Sequence, residues 1–232
     1  MANTNPPTPP AERIQQANTI YQKLLDFYGL PEWREPLSPL DELVSTILSQ
    51  NTNDTNRDIA FNRLREKFST WEEVRDADQE EVIEAIRVAG LANQKGPRMQ
   101  NVLRQITKER GELDISFLRD WPAEEAYDWL VRFKGVGPKT TAIVLQFALG
   151  KPAFPVDTHV HRVTGRLGLR PAKMSAEQAH VYLARMFPPE TYGPAHLNII
   201  RLGREICHAR KPDCAICPLN KLCDFAKDLP KA

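Results

Sequence analysis

The chain has 232 residues, with 31 basic and 30 acidic side chains and a formal net charge of +1. Hydrophobic residues make up 41% and charged residues 26%, the usual proportions of a soluble globular protein with a sizeable core. No apolar run approaches the roughly 20 residues that a membrane span needs, so a membrane protein is excluded. The balanced charge also excludes a generally basic surface, and any nucleic acid would have to bind a local basic face.

The N-terminus, "MANTNPPTPPAER", lacks the basic start and the apolar stretch of a secretory signal. We therefore expect a cytoplasmic protein. Because this segment is rich in proline and polar residues, it predicts a short disordered tail over residues 1–9.

Helical spacing of apolar residues begins near residue 10, and no period-two run or convincing strand pair is visible. Ser38 and Pro39 can open one helix, and Gly90 and Gly111 can end two others. About ten helices with short links predict an all-α protein of packed helices. The expected N-caps of the other helices are Asp54, Thr70, Asp78, Asn93, Asp157 and Ser175.

A glycine turn, "FKGVGPKTTA" at residues 133–142, separates two amphipathic helices. Gly135 and Gly137 allow a tight turn with positive φ and exposed amides, and Pro138 suits the first position of the next helix. The start of that helix could bind a DNA phosphate without reading base identity. A lone GxG between helices is common, and by itself it more often marks an ordinary turn.

Lys139 lies in the first turn of the same helix, where the helix dipole disfavours a cation. A neutral lysine amine is available as a nucleophile. Asp157 follows in "FPVDTHVHRV", and we expect the intervening helix to return both side chains to one cleft. The pair suits attack on a sugar C1′, Schiff-base formation and β-elimination of the 3′ phosphate. The alternatives are a surface lysine and a simple helix N-cap.

All the cysteines lie near the C-terminus with the spacing C-x6-C-x2-C-x5-C, which predicts one metal centre. Either a structural zinc or a [4Fe–4S] cluster would accept four thiolates, whereas disulfides would be crowded in such short loops. His208, Arg210 and Lys211 lie between the first two cysteines and could contact a phosphate backbone, or could simply be solvated. The four cysteines are Cys207, Cys214, Cys217 and Cys223.

The glycine turn, the "FPVDTHVHRV" segment and the cysteine spacing, in this order, resemble the endonuclease III family of helix-hairpin-helix DNA glycosylases. The resemblance covers about residues 15–225. It implies a two-lobed all-α fold with a DNA cleft between the lobes. One lobe would be a six-helix module with the helix-hairpin-helix at 37–149, and the other a [4Fe–4S] cluster lobe formed by 10–36 plus 150–232.

The resemblance also implies the roles of particular residues. Lys139 matches the Schiff-base lysine and Asp157 the catalytic aspartate of the family. The DNA-binding hairpin would be formed by Gly135, Val136 and Gly137. The cluster ligands would be Cys207, Cys214, Cys217 and Cys223.

Three further matches concern the flipped nucleotide. Gln50, in "ILSQNTND", matches the residue that fills the gap left by the flipped base, and Leu91 matches the wedge inserted in the opposite strand. His159 matches a histidine that lines the pocket. The alternatives are a helix end for Gln50, a helix-stop contact for Leu91 and a partly buried histidine with satisfied hydrogen bonds. Asn51 departs from the family because many members carry a second glutamine there, and Pro138 replaces a residue that is often basic or polar.

The implied function is a bifunctional DNA glycosylase and AP lyase of base excision repair. It would remove oxidised pyrimidines from double-stranded DNA, and we expect a monomer in a bacterial or archaeal cytoplasm. One alternative is a monofunctional mismatch glycosylase of the same fold, although such proteins usually lack a lysine at the position of Lys139. Others are a non-catalytic DNA-binding module and a cluster that serves as a redox sensor.

Overall fold

The computed structural model describes residues 6–32 and 35–228. All regular secondary structure in these residues is helical, which confirms the predicted all-α class. None of the helices described is long and apolar enough to cross a membrane. The α-helices, in chain order, are α1 (Ala11–Tyr28), α2 (Pro39–Leu48), α3 (Asp54–Lys67), α4 (Trp71–Asp76), α5 (Gln79–Ile86), α6 (Ala92–Arg110), α7 (Ala123–Val131), α8 (Pro138–Ile143), α9 (Thr158–Arg166), α10 (Ala176–Ala184), α11 (Tyr192–Glu205) and α12 (Asp224–Lys227).

The predicted disordered tail at 1–9 is only partly described, because residues 1–5 lie outside the described residues. Pro6 and Pro9 are buried, and the Pro6 carbonyl accepts a hydrogen bond from Arg185 Nη1 at 2.9 Å. Disorder of the whole segment 1–9 stays a prediction, although Pro6 has this contact with Arg185, which follows α10.

The chain divides into two compact units. One unit comprises Met1–Arg34 and Pro152–Ala232, and we call it the cysteine unit. The other comprises Glu35–Lys151, and we call it the hairpin unit. The lobe boundaries expected from the sequence, 37–149 against 10–36 plus 150–232, are close to this division.

In the hairpin unit, α2 is the central helix and packs on α3, α6 and α8. Every residue of α2 except Asp41 is buried, as expected for a helix that is covered on all sides. The unit contains seven α-helices, α2–α8, among its described residues, one more than the six-helix module that the family resemblance implies. α8 continues as a π-helix over Val144–Ala148.

Most helix starts follow the predicted caps, since capping is a local interaction. The side chains of Ser38, Thr70, Asp78, Asp157 and Ser175 each accept a backbone N–H of the first helical turn.

Two predicted helix starts are wrong. Asn53, not Asp54, caps α3, because its Oδ1 accepts the Asn56 N–H at 2.8 Å. α6 begins at Ala92 after Leu91, not at Asn93, and Leu91 adopts a left-handed conformation with φ 50°.

In the cysteine unit, α11 packs on α1 and α9, and α9 also packs on α10 and α12. Gly203 lets α9 approach α11 closely, since a Cβ at Gly203 would lie 3.0 Å from His159 Cβ. Gln16 Nε2 on α1 donates to the carbonyls of Leu167 and Leu222, at 3.1 and 3.0 Å. These long-range contacts join the N-terminal helix to the C-terminal part of the chain, which carries the four cysteines.

Candidate functional site

The glycine turn connects α7 to α8 in the hairpin unit. Gly135 has φ +99°, a conformation that side chains disfavour, and a Cβ there would overlap Arg98 Cδ. Pro138 is the first residue of α8, as predicted. Gly137 is the N-cap of α8 with φ −93°, so the positive φ expected at both glycines is found only at Gly135. Glycine at 135 is therefore required both by the backbone conformation and by the close approach of Arg98.

Val136 differs from the two glycines that flank it. Its side chain is only 2% exposed, and its N–H donates to the Phe133 carbonyl at 2.9 Å. Among the described residues, no acceptor binds the N–H of Gly135 or Gly137. The turn thus offers two backbone donors, while Val136 anchors the turn to the core.

Lys139 is the second residue of α8 and is partly exposed. Its ammonium group makes no hydrogen bond or ion pair with any described residue. The two residues that follow, Thr140 and Thr141, are buried and fix the helix in the unit. Lys139 is consequently a cation without a partner among the described residues, carried on a well-packed short helix.

Asp157 caps α9 in the cysteine unit and is partly exposed. Its Oδ1 accepts the Val160 N–H at 2.7 Å, which fixes the orientation of the carboxylate. The other carboxylate oxygen makes no hydrogen bond to a described residue. The cap therefore leaves the second carboxylate oxygen of Asp157 available to interact with a bound molecule.

Two buried histidines hold the segment that precedes Asp157, and neither was identified from the sequence. His180 Nδ1 lies 3.0 Å from the Phe154 carbonyl, and His196 Nδ1 lies 2.9 Å from the Pro155 carbonyl. Because a carbonyl only accepts, both Nδ1 atoms carry the proton. In the sequence, the only indication of this role was that His180 and His196 lie among apolar residues of predicted helices.

His159 is partly exposed on α9 and lies against α11. Its Nδ1 lies 3.0 Å from Arg162 Nη2, which also donates to the Gly203 carbonyl. Because arginine only donates, His159 Nδ1 accepts and the ring is the neutral Nε2–H tautomer. Arg162 Nε reaches the Cys207 carbonyl at 3.1 Å, so the same side chain contacts His159 and the first cysteine.

Gln50 follows α2 in the hairpin unit, and both ends of its amide are engaged. Nε2 donates to the Gly135 carbonyl at 3.0 Å, and Oε1 accepts from Arg98 Nη1 at 2.8 Å. Asn51 beside it is exposed and has φ 53°, an uncommon conformation for a residue other than glycine. The predicted gap-filling residue is thus bound both to the glycine turn and to α6.

Leu91 is 47% exposed and has φ 50°. An exposed leucine held in the left-handed region is locally strained, and such strain is common at functional sites. Lys95 on α6 is 1% exposed, and its Nζ donates to the carbonyls of Leu48 and Ala89 at 2.7 and 2.8 Å. Burial lowers the pKa of Lys95 to about 8. Lys95 thereby holds the residues that precede both the Gln50 loop and Leu91.

The four cysteines line a single cavity in the cysteine unit, and none forms a disulfide. Burial, followed by the charges of the other cysteines, raises the pKa of Cys217, and burial raises the pKa of Cys223. Arg166 Nη1 lies 3.3 Å from Cys207 Sγ. The all-sulfur donor set fits either zinc or an iron–sulfur cluster, the two centres expected from the sequence.

The loop between the first two cysteines carries the three predicted phosphate contacts. Arg210 and Lys211 are exposed, and Lys211 has φ 49°. His208 Nε2 lies 3.6 Å from Asp213 Oδ2, and its carbonyl accepts from Arg166 Nη1 at 2.6 Å. Arg166 thus fixes the start of a loop whose tip carries positively charged side chains.

Two segments of the chain match models of known protein families. Residues 44–189 match the HhH-GPD superfamily of base excision DNA repair proteins, and residues 207–223 match the iron–sulfur binding domain of endonuclease III. The cofactor of this chain is accordingly a [4Fe–4S] cluster. Because the cysteine cavity and the matched domain coincide, the zinc alternative is not supported.

Similar proteins come from archaea and plants. The endonuclease III of Sulfolobus acidocaldarius is 32% identical over 91% of this chain and 97% of its own length. A candidate DNA glycosylase of Arabidopsis thaliana is 41% identical over 67% of this chain, and the match spans only 53% of the plant protein.

The fold agrees with these matches. A trapped covalent intermediate of endonuclease III with DNA is 29% identical, with a TM-score of 0.80 over 92% of this chain and 97% of that chain. The chain therefore belongs to the endonuclease III family of base excision DNA repair proteins.

Proposed function

We propose that the chain is a bifunctional DNA glycosylase and AP lyase that removes oxidised pyrimidines from double-stranded DNA. The observation that carries this proposal is Lys139, a lysine directly after the glycine turn with no partner among the described residues. A related protein of the same fold has been trapped as a covalent intermediate with DNA, which supports covalent chemistry here. An enzyme that forms such an intermediate needs an accessible nucleophile.

Lys139 Nζ, as a neutral amine, attacks C1′ of the damaged nucleotide. The C1′–N bond breaks, and its electron pair leaves with the base, which takes up a proton. The amine then gives up one proton, the C1′–O4′ bond breaks as O4′ takes up a proton, and a protonated Schiff base remains between Nζ and C1′. The imine acidifies the C2′ proton, and loss of that proton expels the 3′ phosphate by β-elimination. Water then releases the sugar remnant and regenerates Lys139.

Asp157 stabilises the positive charge that develops at C1′ as the glycosidic bond breaks. The Val160 N–H holds Oδ1, so the carboxylate is oriented before DNA binds. Its second oxygen has no competing partner among the described residues. That Lys139 and Asp157 face the same nucleotide stays a prediction from the family resemblance.

The remaining site residues bind and hold the DNA. The N–H groups of Gly135 and Gly137 can donate to a phosphate without sequence preference, and Val136 supports them from the core. Gln50 and Asn51 fill the gap left by the flipped nucleotide. Leu91 enters the opposite strand. Flipping costs less free energy for a base that is already poorly stacked, so such bases are favoured as substrates.

Three residues of the cysteine loop and one of α9 complete the contacts. We propose that Arg210 and Lys211 contact the DNA backbone, with His208 beside them, and that His159 lines the nucleotide pocket. The four cysteines would hold the cluster, which cross-links the loop when bound. A protein with broad visible absorption and bound iron would agree, and a colourless protein with one zinc would contradict this assignment.

We further propose that the enzyme acts as a monomer in the cytoplasm, at the nucleoid, where its substrate lies. Sedimentation of the protein with and without a lesion duplex would test the monomer. A dimer in both samples would contradict it.

Borohydride trapping tests the proposed function. Duplexes with a thymine glycol, an abasic site or no lesion are incubated with the protein, with and without borohydride. We expect a covalent adduct on the first two duplexes and none with Lys139→Ala. Absence of an adduct from the intact protein, or an undiminished adduct from the variant, would overturn the proposal.

A further inference from the structure

We propose that Arg98 is a positioning residue that fixes the Gln50 amide and thereby sets the discrimination between bases opposite the lesion. The inference rests on the proposed function, because it concerns the residue that fills the gap in the DNA. Arg98 lies on α6, is partly exposed, and donates from Nη1 to Gln50 Oε1 at 2.8 Å. All the residues involved belong to the hairpin unit.

The two hydrogen bonds of Gln50 allow only one orientation of its amide. Oε1 accepts from the guanidinium of Arg98, while Nε2 donates to the Gly135 carbonyl. A rotation by 180° would place the NH2 group against the donors of Arg98 and Oε1 against a carbonyl oxygen. Both contacts would then be repulsive, because arginine has no acceptor and a carbonyl has no donor.

Arg98 is itself held in place by packing against the glycine turn. Its Cγ, Cδ and Nε lie so close to Gly135 that a Cβ there would overlap them. One turn earlier on α6, Lys95 Nζ binds the Leu48 carbonyl, two residues before Gln50. The backbone that leads to Gln50 and the side chain that orients it are thus both fixed by α6.

A fixed amide presents a fixed pattern of hydrogen-bonding groups. Gln50 retains one N–H of Nε2 and one lone pair of Oε1 beyond the two bonds described. Base edges differ in their donors and acceptors, so a rigid amide favours some bases over others. An amide that is free to rotate could satisfy either pattern. Removal of the Arg98 guanidinium should therefore relax the choice of opposite base.

The competing role for Arg98 is a direct contact with a DNA phosphate. Such a contact would act independently of Gln50. Its removal would reduce the slope of log binding constant against log salt concentration by about one. An arginine that acts through Gln50 should leave that slope unchanged. The two roles therefore predict different results in the same set of variants.

The experiment measures single-turnover base release from one lesion placed opposite A, G, C or T. It compares intact protein, Arg98→Met, Gln50→Ala and the double variant, with Arg98→Lys as the conservative change. The matched control is Arg104→Met, an exposed arginine on the same helix. Thermal unfolding and the salt slope of binding to an uncleaved abasic analogue are recorded for every variant.

We expect Arg98→Met to reduce the ratio between the best and the worst opposite base about tenfold, as loss of a charge-assisted hydrogen bond implies. In the Gln50→Ala background the same change should have less than about a twofold effect, and Arg98→Lys should restore part of the ratio. Arg104→Met should match the intact protein.

An equal effect of Arg98→Met with and without Gln50, or a reduced salt slope, would overturn the inference alone. Unchanged opposite-base ratios in Arg98→Met, whether or not Gln50→Ala alters them, would also overturn it. If the intact protein releases no base from any duplex, the proposed function fails and the inference falls with it.

Discussion

Two lysines of the hairpin unit, each near the start of a helix, have opposite surroundings. Lys95 on α6 is 1% exposed and donates to two carbonyls. Lys139 on α8 is partly exposed and has no partner among the described residues. Both lie where a helix dipole disfavours a cation, yet only Lys95 is used to hold other backbone segments.

The partners of a lysine therefore indicate its role better than its position on a helix does. A buried ammonium that binds two carbonyls is a structural group, because each bond satisfies an acceptor that would otherwise be orphaned. An ammonium left without a partner beside the glycine turn is available for chemistry. Substitution of the two lysines should therefore separate stability from activity.

The largest effect is expected for Lys139→Ala on strand cleavage. The variant should lose at least about 1,000-fold in lyase rate, since the proposed nucleophile is removed. Its free energy of unfolding should change by less than about 0.5 kcal/mol, because the side chain has no polar contact to lose. Rates on an abasic duplex, together with chemical denaturation, check both parts. A stable variant with the original lyase rate would contradict the proposed role of Lys139 as the nucleophile.

The next effect is expected for Asp157→Asn. Base release should fall about 100- to 1,000-fold, because the carboxylate charge is lost while the shape is kept. Asparagine is as good an N-cap as aspartate, so the unfolding free energy should change by less than about 1 kcal/mol. Single-turnover release and thermal unfolding of the same samples provide the measurement. A large loss of stability at unchanged rate would make Asp157 a cap and nothing more.

Lys95→Met at neutral pH should lose stability and keep the covalent trapping, the opposite of Lys139→Ala. The Leu48 and Ala89 carbonyls lose their donor, which should lower the unfolding free energy by about 1–3 kcal/mol. Because both loops lose a support, base release should slow, but borohydride trapping should persist. Lys108→Met, an exposed lysine on the same helix, is the matched control. Loss of trapping in a folded Lys95→Met protein would contradict the structural role.

The smallest effect is a pH dependence of stability due to Lys95. Burial lowers its pKa in the folded protein to about 8, from an ordinary lysine value of 10.5. Between these two values the unfolded chain binds more protons than the folded protein does. Stability should therefore increase with pH in this window.

The difference in unfolding free energy between the intact protein and Lys95→Met isolates this contribution. It should increase by about 1.4 kcal/mol between about pH 7 and pH 9. Denaturant titrations at four pH values would measure it. A difference that stays flat or decreases would mean that the Lys95 ammonium is not disfavoured by burial.

Helix caps and the metal centre could be predicted from the sequence because they depend on residues that are close together in the chain. Asp157, Ser175 and Thr70 cap helices as predicted, since an N-cap depends on residues three positions away. Short spacing likewise brought the four cysteines to one cavity. Asn53 was missed because it stands directly beside Asp54 and both are good N-caps.

The supporting residues could not be read in this way. Lys95 and Arg98 reach Leu48 and Gln50 across 47 and 48 residues of sequence. His180 and His196 reach the segment before Asp157 across 26 and 41 residues. No local pattern marks such contacts, because they exist only after the helices have packed.

We propose that Lys139, and not another lysine, becomes covalently attached to DNA. The direct test is to reduce the intermediate with borohydride, digest the protein and locate the sugar remnant by mass spectrometry. We predict that the modified peptide contains Lys139 and that the peptide with Lys95 is unmodified. A remnant on Lys95, on Lys134 or on the N-terminal amine would contradict this claim.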